Sequence, residues 1–152
     1  RVLVISPFEA SIQDQYAKRS QIWRHEKILP EFELKTLKTP LSAWLSPSPY
    51  KDWFDGLEDL ENKMANIDFD VALIGAGAWS LPLAVQAKRL AKIGIHLGGA
   101  MQVLFGIIGG RWIQQNNPHL IGQMNETWTQ PSADESPRQE NLDKVRGVDN
   151  YW

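Results

Sequence analysis

The chain has 152 residues, no cysteine, and 16 basic against 18 acidic side chains, for a formal net charge of −2. The length fits one domain with its own core, the charge balance gives no sign of a nucleic-acid partner, and the lack of cysteine excludes disulfides and thiolate metal sites. No apolar run could span a bilayer and no signal peptide is recognised, so we expect a cytoplasmic protein. Strand-like residues follow Arg1 at once, so we also expect that a segment precedes this chain.

The first quarter of the sequence predicts a strand, a helix and a second strand. Residues 2–5 form a short β-branched run that is typical of a strand buried on both faces. We expect Ser11 to cap a helix over residues 12–27, which Pro30 ends. Apolar and polar residues alternate over residues 32–37, which predicts a strand nearer the sheet edge.

The clearest helix is predicted over residues 50–66, where apolar residues recur at helical spacing. The stripe consists of Trp53, Leu57, Leu60, Met64 and Ile67. This periodicity places Trp53 in the core.

Two more strands are predicted, at residues 71–74 and 93–97. We expect Ser80 to cap the helix between them, which runs to about residue 92. A short helix over residues 100–105 follows the fourth strand.

Strands that alternate with helices predict an α/β, Rossmann-like three-layer domain over residues 1–113, with a short parallel sheet of about four strands and helices on both faces. Residues 114–152 are rich in polar residues and predict a largely irregular tail packed on this domain. The simplest strand order is second, first, third, fourth. Ligands then bind beyond the carboxyl ends of the first and third strands, which lie at Ser6, Phe8, Gly75 and Gly77.

The turn from Gly75 to Ser80 follows a buried strand and opens a helix, as a phosphate-binding turn requires. It is open to three interpretations: a dinucleotide site, a nucleotide or phosphosugar site, or a glycine turn kept for tight packing. A site for NAD is the least favoured. Ser80 stands at the third glycine position, and the fourth strand ends in His96-Leu97-Gly98-Gly99 instead of an acidic residue.

Four side chains beside the glycines are candidates for the site. His96 and Arg111 are the candidate catalytic residues, because an imidazole can contact phosphate or move a proton and a guanidinium can clamp phosphate. Trp79 and Trp112 are candidate stacking rings. Each of the four also has a structural interpretation, as a core or surface residue. Gly98 and Gly99 would let the backbone approach a ligand.

One acidic pattern, Asp59-Leu60-Glu61, matches the Asp-x-Glu motif that holds a divalent ion in many sugar transferases. It lies inside the amphipathic helix, where acidic residues that flank a core leucine are ordinary. We therefore assign no metal ligand in this chain.

The most specific blocks of the sequence are Leu81-Pro82-Leu83-Ala84 and His96-Leu97-Gly98-Gly99. They are similar to a group of uncharacterised bacterial proteins often encoded near surface-polysaccharide genes, and the similarity extends to residues 1–8, 28–34, 52–54, 69–77, 104–107, 125–126, 128 and 151–152. At the level of fold this group resembles GT-D-type glycosyltransferases, which use a nucleotide-sugar donor. The resemblance implies a longer protein whose upstream segment supplies any divalent metal site.

The chain departs from that group at three places. Trp79-Ser80 stands where Tyr-Gly is expected, Ile108 stands where a lysine is usual, and residues 145–150 lack a Glu-Gly-Gly-Cys run. Loss of the lysine leaves Arg111 as the anion contact, or it signals weakened activity.

The leading hypothesis is a nucleotide-sugar-binding domain of a glycosyltransferase-like protein in surface polysaccharide biosynthesis, with no cofactor held by this chain itself. Its ligand would be a nucleotide sugar or another phosphorylated small molecule, and the tryptophans leave a homo-oligomer open. The alternative is a non-catalytic nucleotide-binding or protein-interaction module. A dehydrogenase ranks third, because the acidic ribose-binding residue is absent.

Overall fold

Four parallel strands form one sheet in a computed structural model that describes residues 1–41 and 48–136. The strands are β1 (Val2–Ser6), β2 (Leu34–Lys38), β3 (Val71–Ile74) and β4 (Ile93–His96). Their order is β2-β1-β3-β4, and Val2 lies opposite both Leu34 and Val71. The all-parallel sheet confirms the α/β, Rossmann-like class and the predicted strand order.

The helices, in chain order, are α1 (Glu9–Tyr16), α2 (Arg19–Ile22), α3 (Trp53–Ala65), α4 (Ser80–Arg89), α5 (Ala100–Leu104), α6 (Gly110–Gln114) and α7 (Pro118–Ile121). Two 3-10 turns lie at Gly77–Trp79 and Ala133–Glu135. No helix within residues 1–41 and 48–136 has both the length and the apolar character needed to cross a membrane.

The described residues group into two units. The sheet unit contains residues 1–9, 32–40 and 48–101, and the helical unit contains residues 10–31, 41 and 102–136. The boundary after residue 113 stays a prediction. Residues 137–152 of the predicted tail lie outside the described residues. They include the two segments compared above with the similar bacterial proteins, 145–150 and 151–152.

The core of the sheet unit lies between the strands and the helices α3 and α4. Its fully buried members include Leu3, Ile5 and Ile74 from the strands and Leu60 and Met64 from α3. Helix α3 begins because the Asp52 carboxylate accepts hydrogen bonds of 2.9 and 3.0 Å from the next free backbone N–H groups. The periodicity therefore placed the inner face of α3 correctly.

The core position of Trp53 was predicted wrongly. Trp53 is 37 % exposed, and its ring packs edge-on against the exposed Phe54 at 5.1 Å between centroids. It is the first residue of α3, so helical periodicity does not yet fix its direction into the core. Its carbonyl oxygen instead accepts the indole N–H of Trp79 at 3.2 Å.

The single helix over residues 12–27 is also wrong. Helix α1 ends at Tyr16 and α2 ends at Ile22. The carbonyl of Ile22 accepts hydrogen bonds from Asn125 and from the indole of Trp128, at 3.2 and 2.9 Å, which are tertiary partners in place of helical ones. Ser11 is not the cap, because it lies inside α1.

Ser80 is not the helix cap either. A 3-10 turn precedes α4, so Ser80 already has helical backbone angles. Its Oγ reaches back and accepts the N–H of Ala76 at 2.7 Å, which closes the turn after β3. The Ser80 hydroxyl therefore binds the backbone before the 3-10 turn, and not an N–H group of α4 as predicted.

Candidate functional site

The carboxyl ends of β1, β3 and β4 meet at one edge of the sheet. The Gly75 N–H donates to the carbonyl of Ile5 at 2.9 Å, and the N–H groups of Leu97 and Gly98 donate to the carbonyl of Ile74 at 2.9 and 3.3 Å. In the sheet, β2 flanks β1 on one side and β4 flanks β3 on the other, so the topological switch point lies between β1 and β3. The glycine-rich turns predicted to meet there do meet.

Gly75 serves packing at this edge. A Cβ atom on Gly75 would lie 2.9 Å from the carbonyl oxygen of Gly98 and 2.9 Å from the Cβ of Met101. Such distances are below those of real contacts, and the Gly98 carbonyl is backbone that cannot rotate away. Glycine at this position therefore lets the turn after β4 approach the end of β3.

Gly77 has the opposite surroundings. Its φ is +57°, which favours glycine, and a Cβ there would meet no atom within 4 Å. The residue is exposed. Packing therefore does not require glycine here, and the space beside this backbone can admit a ligand.

The N-terminus of α4 faces the same turn. The first N–H groups of a helix have no partner within it, and the helix dipole makes this end partly positive. The N–H of Ala76 is already bonded to Ser80. The backbone of Gly77 and Ala78, both exposed, is the part that a ligand can reach.

His96 is the last residue of β4 and is exposed. Its imidazole Cε1 and Nε2 lie 3.5 and 3.7 Å from the position of a Cβ on Gly98, whose φ is +56°. The imidazole therefore lies directly beside the left-handed turn at the end of β4. Gly99 follows and is half-buried.

Four other candidates at this edge have buried side chains. Ser6 is 2 % exposed and its Oγ accepts the N–H of Phe8 at 3.2 Å, while Phe8 is 5 % exposed. Trp79 is 3 % exposed and packs edge-on against Tyr50, at 6.2 Å between centroids. Ser80 is fully buried. These four side chains have little surface to offer a ligand.

Arg111 and Trp112 belong to helix α6 in the helical unit. The guanidinium carbon of Arg111 lies 5.7 Å from the centroid of the Trp112 ring, and the indole N–H of Trp112 points to Gln102 Oε1 at 3.5 Å. Their participation in the sheet-edge site stays a prediction.

The Asp59 carboxylate is held by neighbouring side chains. It accepts hydrogen bonds of 2.5 Å from the Tyr50 hydroxyl and 2.6 Å from Lys63 Nζ. The Lys63 bond, followed by the Tyr50 bond, lowers the pKa of Asp59. Burial and the bond to Asp59 raise the pKa of Tyr50. Glu61 Oε1 lies 3.9 Å from Arg89 Nη1.

No metal site is assembled by the His, Asp and Glu side chains of the described part of the chain, in which no group of three converges. The two carboxylates of the Asp-x-Glu pattern instead contact basic side chains, Asp59 with Lys63 on α3 and Glu61 with Arg89 on α4.

Sequence reasoning missed Glu135. This carboxylate is fully buried and accepts the N–H of Ala10 at 2.6 Å in the first turn of α1. Its position in the sequence, within the run Ser-Ala-Asp-Glu-Ser, shows no apolar pattern or motif. No local signal distinguished it from an exposed acidic residue.

Comparisons of the chain with protein-family models, with curated proteins and with solved structures gave no match.

Proposed function

We propose that the sheet edge at Gly77, His96 and Gly98 binds the diphosphate of a nucleotide sugar, in a glycosyltransferase-like protein of surface polysaccharide biosynthesis. The observation that carries the proposal is Gly77. It combines a left-handed backbone with open space, directly after a central parallel strand at the switch point.

Backbone donors would hold the phosphates. A phosphate beside Gly77 and Ala78 would lie at the partly positive end of α4, a ten-residue helix. A side chain at residue 77 would enter that space, and glycine leaves it open.

His96 would supply the first side-chain contact. Its exposed imidazole beside Gly98 can donate to a phosphate oxygen or to the acceptor. The catalytic effect would come from positioning the two substrates and from stabilising the departing diphosphate.

The rival function is a non-catalytic nucleotide-binding or protein-interaction module. Two observations favour it. Ser6, Trp79 and Ser80 have buried side chains, and within the described residues no three His, Asp or Glu side chains converge as metal ligands would. Under the glycosyltransferase proposal, any divalent metal site would belong to an upstream segment, which the resemblance implies.

Thermal unfolding in the presence of a ligand panel tests the proposal. The panel contains UDP-, GDP-, CMP- and dTDP-sugars, NAD, and the matching free sugars, each with and without Mn²⁺. A specific ligand at 100 times its Kd should add about 2.7 kcal/mol of stability. A shift with one nucleotide sugar but not with its free sugar supports the proposal, whereas a shift with NAD alone contradicts it.

A further inference from the structure

A cavity of about 480 Å³ lies in the helical unit, between helices α1 and α2 and residues 126–132. Its size falls within the range of about 300–1,000 Å³ that is usual for small-molecule sites. All its lining residues belong to the helical unit, so the cavity is formed by that unit alone. The sheet-edge site does not contribute to it.

The walls of the cavity are polar and carry both signs of charge. Asp14 lines it from α1, Lys18 from the turn between α1 and α2, and Glu126 from the opposite side. All three are exposed, and within the described residues none of them forms an ion pair with another side chain. Two carboxylate acceptors and one ammonium donor are therefore available in one cavity.

Amide and hydroxyl groups complete the walls, at Gln21, Thr129, Gln130 and Ser132. An amide both donates and accepts hydrogen bonds, and so does a hydroxyl. The cavity thus presents donors and acceptors interspersed, without a continuous apolar surface.

The buried residues of the cavity are fixed by internal hydrogen bonds. The Gln15 amide donates to the carbonyls of Gly106 and Thr127, at 3.2 and 2.9 Å, and Gln15 is 1 % exposed. Ser11 accepts the N–H of Ser132 at 3.0 Å. These bonds hold residues 126–132 against α1, so the cavity is shaped before any ligand enters.

One aromatic ring lines the cavity, that of Trp128. Its indole N–H donates to the carbonyl of Ile22 at 2.9 Å, and the ring packs edge-on against Trp23 at 5.0 Å between centroids. The ring is therefore held in one orientation. A rigid indole offers a flat apolar surface at small entropic cost.

We propose that this cavity binds a saccharide unit, as a second ligand site distinct from the sheet edge. Each sugar hydroxyl both donates and accepts, which matches walls of mixed donors and acceptors, and the C–H face of a sugar ring fits an indole. Phosphate would be repelled by Asp14 and Glu126. An apolar ligand would leave the polar walls without partners, and a diamine would meet Lys18.

The chemistry of the walls sets the expected variant effects. A sugar hydroxyl that donates to a carboxylate makes a charge-assisted bond, which is stronger than a neutral one. Asp14→Asn and Glu126→Gln keep the shapes of the side chains but remove the charges. Each should weaken saccharide binding about tenfold. Asp134→Asn, at an exposed residue outside the lining, is the matched control.

Amide NMR of the ¹⁵N-labelled full chain tests the proposal without using nucleotide binding. The probes are glucose, galactose, N-acetylglucosamine, maltose and cellobiose, with inorganic phosphate and putrescine as chemical controls. We expect at least one saccharide to shift amides of residues 11–21 and 126–132 and the indole N–H of Trp128, in the wild-type and Asp134→Asn chains. The two controls should leave these signals in place.

Three results would overturn the saccharide site: no saccharide shifts these amides, putrescine or phosphate shifts them more than any saccharide does, or Asp14→Asn and Glu126→Gln bind as tightly as the wild type. Because free saccharides are the probes, failure here is separate from failure of the sheet-edge site, which the nucleotide-sugar panel reports.

Discussion

The Ser11 hydroxyl donates a hydrogen bond of 2.5 Å to the Glu135 carboxylate, across 124 positions of the sequence. The same carboxylate accepts the backbone N–H groups of Ala10 at 2.6 Å and Ser11 at 3.2 Å. It therefore lies at the N-terminus of α1, where free N–H donors and the helix dipole favour an anion. This contact joins the first and last described segments of the helical unit.

Removal of the Glu135 carboxylate should destabilise the helical unit. Glu135→Ala leaves the N–H groups of Ala10 and Ser11 without their acceptor, so we expect the free energy of unfolding to fall by about 2 kcal/mol. Glu135→Gln retains one acceptor oxygen and should lose less. Denaturant unfolding measures both. Asp134→Asn is the control, and an equal loss in Glu135→Ala and Asp134→Asn would show that the contact contributes nothing.

Ala91 occupies a position that favours glycine. It follows the end of α4 with φ +56°, and its N–H donates to Lys88 at 3.0 Å while the N–H of Lys92 donates to Ala87 at 2.9 Å. This is the Schellman arrangement, in which the left-handed residue is usually glycine. Ala91→Gly should raise the free energy of unfolding by about 1 kcal/mol, because it removes the strain of a left-handed alanine. Ala91→Val should lower it, and the opposite order of the two variants would contradict the backbone assignment.

The contacts of Tyr50, Asp59 and Lys63 should appear in the pH dependence of stability. Burial, then the Asp59 bond, raises the pKa of Tyr50, and the Asp59 bond raises the pKa of Lys63. Their contributions are therefore present below the ordinary pKa values near about 10 and are lost as pH rises through the raised values. The lowered pKa of Asp59 gives a contribution that is present above about pH 4 and is lost as pH falls through the lowered value.

NMR titration of ¹³C-labelled tyrosine rings measures this directly. We expect the Tyr50 phenol to titrate above its ordinary pKa, and Asp59→Asn to bring the pKa back toward that value. Asp55→Asn, on the same helix, is the matched control, because the Asp55 carboxylate accepts the N–H of Lys51 while the Tyr50 hydroxyl donates to Asp59. Identical Tyr50 titrations in the two variants would show that Asp59 does not hold the phenol.

The sheet was predictable because three strands are short runs with β-branched residues, and the remaining strand, β2, alternates apolar and polar residues. Residues 71–74 and the glycines after them show this most clearly, and the strand order follows from alternating strands and helices. The length of helix α1 was predicted wrongly because its sequence is mostly polar and has no apolar stripe that marks where the helix ends. The buried residues of α1 are Ser11, Ile12 and Gln15. The end of the helix therefore depends on tertiary hydrogen bonds, which the sequence does not show.

The candidate site was predictable in its backbone but not in its side chains. Topology alone brings Gly77, His96 and Gly98 to one edge of the sheet. Trp79 is buried through its contacts with Tyr50 and Trp53. Trp53 precedes it by 26 positions, so no local sequence pattern predicts this burial. The saccharide cavity was not predictable either, because its walls come from two segments that are more than 100 positions apart in the sequence. The hydrogen bond from Asn125 to the carbonyl of Gln21 joins these two segments.

Calorimetric titration of three proteins tests the claim that a nucleotide sugar binds at Gly77. The ligand is the nucleotide sugar that gives the largest thermal shift, and the proteins are the wild type, Gly77→Asn and Ala91→Asn. Asparagine tolerates a left-handed backbone, so both variants should fold, but only Gly77→Asn places a side chain in the open space beside the turn. We predict that Gly77→Asn weakens binding by at least about tenfold, while Ala91→Asn, at the other end of α4, binds as the wild type does. Equal affinities for all three proteins, or no binding of any nucleotide sugar, would contradict the claim.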